Sequence, residues 1–166
     1  KRKSELVNLT NNAFDELSLA LENLKDRDRQ KVEMWSMAIE EINKPLEDYS
    51  FVVKILRENN SIPMIITDLD ENVVSSHNLN ILDSSIVRHV EFEYPNFSGK
   101  QRDSAFNRIK NDSLMAFIDF WRVEHPPLEI DLYYGEKQKV FYFDSIYFKT
   151  QKLAALEFSR DSLISS

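Results

Sequence analysis

The sequence predicts an α+β fold: a small antiparallel sheet of two hairpins, packed with helices and flanked by long N- and C-terminal helices. Three observations predict it. Residues 4–43 contain neither Gly nor Pro, and their apolar residues recur mostly three and four apart, the spacing of one helical face. Two segments, 62–76 and 128–143, each read as apolar run, turn residues, apolar run. Between them, residues 101–124 carry a helical apolar pattern, so a helical crossover joins the hairpins.

Along the first helix, Leu6, Leu9, Ala13, Phe14, Leu17, Leu21 and Leu24 form an apolar stripe. Lys25-Asp26-Arg27-Asp28-Arg29-Gln30-Lys31 then offers no apolar side chain, so roughly two turns are expected in solvent. The stripe resumes with Val32, Trp35 and Ile39, flanked by Met34 and Met37. Pro45 breaks this helix and suits the first turn of a second one, marked by Leu46, Tyr49, Val53 and Leu56 and ending near Asn59-Asn60. Residues 62–67 form a short β-branched run, expected as a buried strand with Pro63 at its start or on an edge. Residues 68–72 supply turn chemistry, and Val73-Val74-Ser75-Ser76 returns.

Residues 78–99 are mixed and read as a loop with a short helix over 85–90. In the helix over 101–124, Ala105, Ile109, Phe117 and Trp121 share a face widened by Phe106, Leu114, Ile118 and Phe120, and Pro126-Pro127 ends it. Residues 128–134 begin with apolar/acidic alternation, the mark of a half-buried strand; 135–138 turn and 140–143 return. Ile146, Leu153, Leu156, Leu163 and Ile164 mark a last amphipathic helix. The expected organisation is a long helix over 1–44, a sheet-bearing domain over 45–144 and a C-terminal helix over 145–166. Helices are expected on one face of the sheet, and the element order suits a PAS-like sensory fold.

Composition excludes several function classes. The 166 residues are 42% hydrophobic, enough for one domain with a core. A net charge of −7 argues against a nucleic-acid-binding face. The absence of cysteine removes disulfides, thiolate zinc sites and cysteine nucleophiles. With only Gly99 and Gly135, neither a dinucleotide fingerprint nor a P-loop is possible. No run approaches the roughly 18 apolar residues of a membrane span, and Lys1-Arg2-Lys3 is not followed by a signal-peptide core.

Five segments occur in an order that carries a resemblance: Lys31-Val32-Glu33-Met34-Trp35; Asn59-Asn60-Ser61-Ile62-Pro63-Met64-Ile65-Ile66-Thr67-Asp68; Asn72-Val73-Val74-Ser75-Ser76-His77-Asn78; Pro127-Leu128-Glu129-Ile130; and Leu132-Tyr133-Tyr134-Gly135-Glu136. Together, over roughly residues 24–144, they resemble the N-terminal sensor region of Bacteroidetes membrane-bound sensor histidine kinases. The resemblance implies a PAS-like input domain in the periplasm, held between two membrane-spanning helices of a parent protein in the inner membrane. Signal would pass as a shift between the helices of a homodimer. The chain departs from that pattern in lacking a phosphoacceptor helix and an ATP lid, so the kinase core is absent. Residues 79–124 are also longer than the pattern leads one to expect.

The flanks depart too. Asn8, Asn11, Asn12, Asp15, Glu16 and Glu22 precede Leu24, and Lys149, Gln151, Lys152, Glu157, Arg160 and Asp161 follow Ser145. Charged residues at a bilayer centre cost about 2.5–3.5 kcal/mol each on insertion scales, so neither flank is expected to insert and the chain as given is expected to be soluble. Two readings fit: naturally soluble flanks, or spans rewritten with polar residues. The surviving leucine spacing favours the second.

The candidate ligand-binding residues are Met64, Ile66, Val74, His77, Tyr133 and Tyr142. Sheet residues facing helices can wall an apolar pocket, with tyrosine hydroxyls and an imidazole as its polar groups. Ile130, Leu132, Tyr134, Phe141 and Phe143 share that region, and a closed core without ligand explains the same residues. No cofactor, metal or catalytic residue is assigned. His77, His89 and His125 lack ligand spacing. Asp68, Asp70, Glu71 and Asn72 lack the glycine and distant Glu of a calcium loop and read as a turn. Ser75-Ser76-His77 has no elbow glycine. Glu91, Glu93, Glu129 and Asp131 read as solvent-facing carboxylates on strands rather than an acid/base pair.

The expected function is a noncatalytic input domain. Its partners would be a second copy, through a four-helix bundle of residues 6–24 and 146–164, and an unknown small-molecule or protein signal. No nucleic acid is expected, and membrane contact only through the parent's spans. The competing readings are a small acid/base hydrolase and a scaffold that binds through its helical arms.

Overall fold

A computed structural model describes residues 2–145. The fold is α+β: α1 (Arg2–Ile42), α2 (Ser50–Glu58), β1 (Met64–Asp68), β2 (Val73–His77), α3 (Asn80–Glu93), α4 (Gly99–Glu124), β3 (Leu128–Asp131) and β4 (Lys137–Tyr142). Two compact units result. One is Glu33–Phe143; the other holds the residues up to Val32 together with Asp144 and Ser145. The last turns of α1, residues 33–42, thus belong to the sheet-bearing unit.

In that unit the two expected hairpins lie side by side. The strand order is β2-β1-β4-β3, antiparallel throughout, with β1 and β4 paired at the centre. Met64 stands opposite both His77 and Tyr142, and Ile65 opposite both Ser76 and Phe141. Each pair occupies one face, because side chains alternate along a strand. On one face Ile65 and Phe141 pack with Leu114, Ile118 and Trp121 of α4. On the other, Met64, Ile66, Ile130, Val140 and Tyr142 are buried as well. That side meets Trp35 of α1, whose ring is edge-on to His77 at 5.2 Å, and Asn59, just past α2, whose Nδ2 reaches Met64 Sδ at 3.4 Å. The expectation of helices on a single face is therefore corrected. A central strand reading Met-Ile-Ile has nothing polar to turn to water on either side.

Local chemistry sets the element ends. Ser98 caps α4 through a capping box with Gln101, and Pro126-Pro127 follow its end. Gly135 adopts φ +85 in the β3–β4 turn, a conformation that favours glycine. Asn78 also takes a positive φ, 61°, and its Nδ2 donates to Ile62 O at 2.7 Å and Asn59 O at 3.1 Å, which ties the exit of β2 to the entry of β1. Pro63 sits just ahead of β1, where its carbonyl accepts the Phe143 N–H.

Four expected elements shift. Pro45 does not open α2. The helix starts at Ser50, where the Asp48 carboxylate accepts from Ser50 N and Oγ, while the Tyr49 hydroxyl bridges Leu46 N and Lys44 O. The short helix expected over 85–90 is the longer α3. Tyr133 and Tyr134 fall in a turn rather than a strand, closed by Leu132 N to Glu136 O and Gly135 N to Leu132 O. Phe120 is 63% exposed and sits at the margin of the buried face of α4, its ring 5.5 Å from that of Phe143.

In the other unit, α1 carries Leu6, Leu9 and Phe14 exposed and Leu17, Leu21 and Leu24 partly covered. Asp28 overturns the expectation that residues 25–31 are wholly solvated. It is buried, and its carboxylate accepts the Ser145 N–H at 3.0 Å. The expected C-terminal helix lies outside the described residues from Ile146 onward. Among the described residues, no helix is long and apolar enough to cross a membrane.

Candidate functional site

Of the six candidate ligand-binding residues, the register brings four to one face of the sheet. Met64 is flanked by His77 on β2 and Tyr142 on β4, and Ile66 lies two residues along β1. Met64, Ile66 and Tyr142 are buried, whereas His77 is exposed. The other two stand apart. The register between β1 and β2 shifts so that Val73 faces Thr67 and Ser75 faces Ile66, which leaves Val74 as the extra residue of a bulge, 56% exposed. Tyr133, in its turn, is 62% exposed.

Around this row the chain builds a seam. Trp35 is buried on α1 and leans on His77. Glu40, further along the same helix, accepts the Asp131 N–H at the end of β3 at 3.0 Å. The Asn59 side chain touches Met64 through Nδ2, and its Oδ1 is buried with no hydrogen-bond partner among the described residues. On the β4 side, the His125 ring lies 4.8 Å from that of Tyr142, and His125 is buried. Sequence reasoning missed Asn59 and Asn78 as seam residues. Only Asn78 carried a legible signal, its type: asparagine is among the non-glycine residues most tolerant of the left-handed conformation that it adopts.

Partial burial of the ring holds the His77 imidazole below its ordinary value, although the residue as a whole is exposed, and the Trp35 ring lies edge-on to it at 5.2 Å. The unfolded chain therefore takes up that proton more readily than the folded one. The stability tied to neutral His77 is complete above the ordinary value of 6.5 and declines as pH falls from there through the lowered folded value. His77→Gln is expected to flatten the acid side of the stability profile below about pH 6.5, as urea unfolding at a series of pH values will read. An unchanged slope would place His77 outside the seam.

The acidic turn is not a cation loop. Asp68 accepts from Asn72 N at 2.8 Å and Nδ2 at 3.0 Å, which lowers its pKa. Glu71, at φ 64°, points elsewhere and takes Arg122 Nη2 on both carboxylate oxygens at 2.7 and 2.8 Å. This bond lowers the Glu71 pKa and raises that of Arg122, whose guanidinium also lies over Phe141 at 5.3 Å. Arg122 is 40% exposed at its side chain, so Glu71→Gln is expected to cost no more than about 1 kcal/mol in thermal unfolding.

Glu91 and Glu93 lie on α3 rather than on strands, Glu129 and Asp131 on β3, and all four are exposed. Ser76 and His77 are neighbours on one strand and face opposite sides of the sheet. Two open hollows exist away from the seam. One, of about 400 Å³, is lined by Phe97, Lys100, Gln101, Ser104, Ala105 and Arg108; the other, of about 680 Å³, runs along the outer side of α2 past Asp48 and Arg57. Neither is lined by any of the six candidates.

Comparison with models of known protein families finds no match, and comparisons with curated proteins and with solved structures find none either.

Proposed function

We propose that this chain is a noncatalytic sensory input domain of PAS-like type that signals as a homodimer through α1. The observation that carries the reading is the double membership of one helix. α1 runs without a break from Arg2 to Ile42; its residues 33–42 belong to the sheet unit, and its earlier residues belong to the other unit. A change at the sheet face that moves Trp35 or releases Glu40 from the β3 backbone acts directly on that helix. The unpaired Asn59 Oδ1 beside Met64 gives an arriving donor group a buried acceptor. A coupling of about 1–3 kcal/mol is enough to bias a two-state dimer.

The exposed stripe of Leu6, Leu9 and Phe14 supports a second copy as the partner, since such residues are normally covered when they line one face of a helix. The periplasmic placement of the domain in a larger histidine kinase rests on the segment resemblance. Sedimentation equilibrium tests the dimer. The expected result is a species of twice 19.6 kDa at micromolar to millimolar concentration, weakened by Leu9→Glu. A strict monomer over that range would overturn the reading.

A further inference from the structure

The hollow on α4 carries an inference that stands apart from the sensor reading. Its floor is apolar: Phe97, and Ala105, which is buried in the cluster of Ile86 and Val90 between α3 and α4. Its rim is basic. Lys100, Ser104 and Arg108 follow one another at four-residue steps, so they line one side of α4 over about 12 Å.

The walls are held in place before any ligand arrives. The Phe97 ring stacks on Tyr94 at 4.4 Å with planes 6° apart, and Phe97 N donates to Tyr94 O. Arg102 Nη2 donates to Pro95 O, and Ser98 and Gln101 close their capping box.

The charges on α4 separate into used and unused. Arg102 holds the Pro95 carbonyl, Lys110 pairs with Asp83 at 2.9 Å and Arg122 pairs with Glu71. The remaining two cations of the helix, Lys100 and Arg108, have no ion pair or hydrogen-bonded side chain among the described residues, and both border the hollow. In a chain of net charge −7 this is an unpaired positive spot over an apolar floor. The capping box occupies the first-turn Gln101 N–H, and Arg102 N donates to Ser98 O, so neither is free for an anion.

We propose that this hollow binds a small aromatic carboxylate. The ring lies on Phe97 and Ala105, and the carboxylate sits between Lys100 and Arg108, whose guanidinium offers a two-pronged donor. A volume of about 400 Å³ suits one ring with a short acid arm.

The test is amide-resolved NMR on the intact chain with phenylacetate, against acetate (charge without ring) and 2-phenylethylamine (ring with the opposite charge). Phenylacetate is expected to shift amides within residues 97–108 saturably, with a Kd of about 1–10 mM for so small a ligand, and the binding should weaken with salt. Acetate and the amine should not reproduce it. The double variant Lys100→Gln/Arg108→Gln should bind at least about tenfold more weakly with an unchanged melting midpoint, because both side chains are exposed. Equal shifts from acetate would reduce the site to surface charge, and equal shifts from the amine to surface grease. Either result overturns the proposal, as does unsaturated phenylacetate binding or full binding by the double variant.

Discussion

Phe141→Ala is expected to destabilise the sheet-bearing unit by about 3–5 kcal/mol, the cost of emptying a buried aromatic site that its neighbours cannot refill. Phe141 is fully buried in a central strand, opposite Ile65, against Leu114, Ile118 and Trp121. It also lies under the Arg122 guanidinium. The ring therefore joins both hairpins to α4, and its loss should lower the urea midpoint for strand and helix signals together. A drop below about 1 kcal/mol, or a loss confined to one signal, would mean the two hairpins do not share one core. Phe141→Leu, which keeps most of the volume, should recover much of the loss.

Trp35→Ala is expected to cost a similar amount, about 3–5 kcal/mol, since a buried indole leaves a large void. Its second effect separates it from an ordinary core mutation. The Trp35 ring is packed edge-on against His77, so its removal should let the imidazole pKa climb toward the ordinary 6.5, read from the His77 ring protons in an NMR titration. Trp35→Phe should keep the pKa low while losing less stability. If Trp35→Ala left the His77 titration unmoved, the seam between α1 and the sheet would have no energetic substance.

The sequence announced the elements whose signals are local. Asp68 through Asn72 and Gly135 marked the two hairpin turns, and Pro126-Pro127 marked the end of α4, because turn and break chemistry acts within a few residues. Where side chains answered to distant partners, the pattern misled. Asp28, one of seven consecutive polar residues, looks solvated until Ser145, 117 positions away, gives its carboxylate an N–H. α3 hid within a mixed segment because Ile81, Val87 and Phe92 are exposed and blur the period that Ile86 and Val90 would show alone. Tyr133 and Tyr134 extend an alternating strand on paper, yet Gly135 N bonds back to Leu132 O and folds both into the turn.

The candidate site was legible to the same extent. Alternation along β1 groups Met64 with Ile66, while the cross-strand partners His77 and Tyr142 depend on register. Val74 left the face because a bulge inserts one residue and flips the alternation. The acceptor of Asn59 could not be read at all, since an unpaired buried atom is defined by what surrounds it.

Amide hydrogen exchange along α1 tests the central claim, that residues 33–42 form one cooperative body with the sheet. The account predicts that amides near Trp35 and Ala38 are protected to the same free energy as those of Ile65 in β1 and Phe141 in β4, and that Trp35→Ala lowers all of them together. Exchange near Trp35 and Ala38 at the faster rate of the exposed turns around Leu6 and Leu9, with β1 and β4 still fully protected, would contradict it.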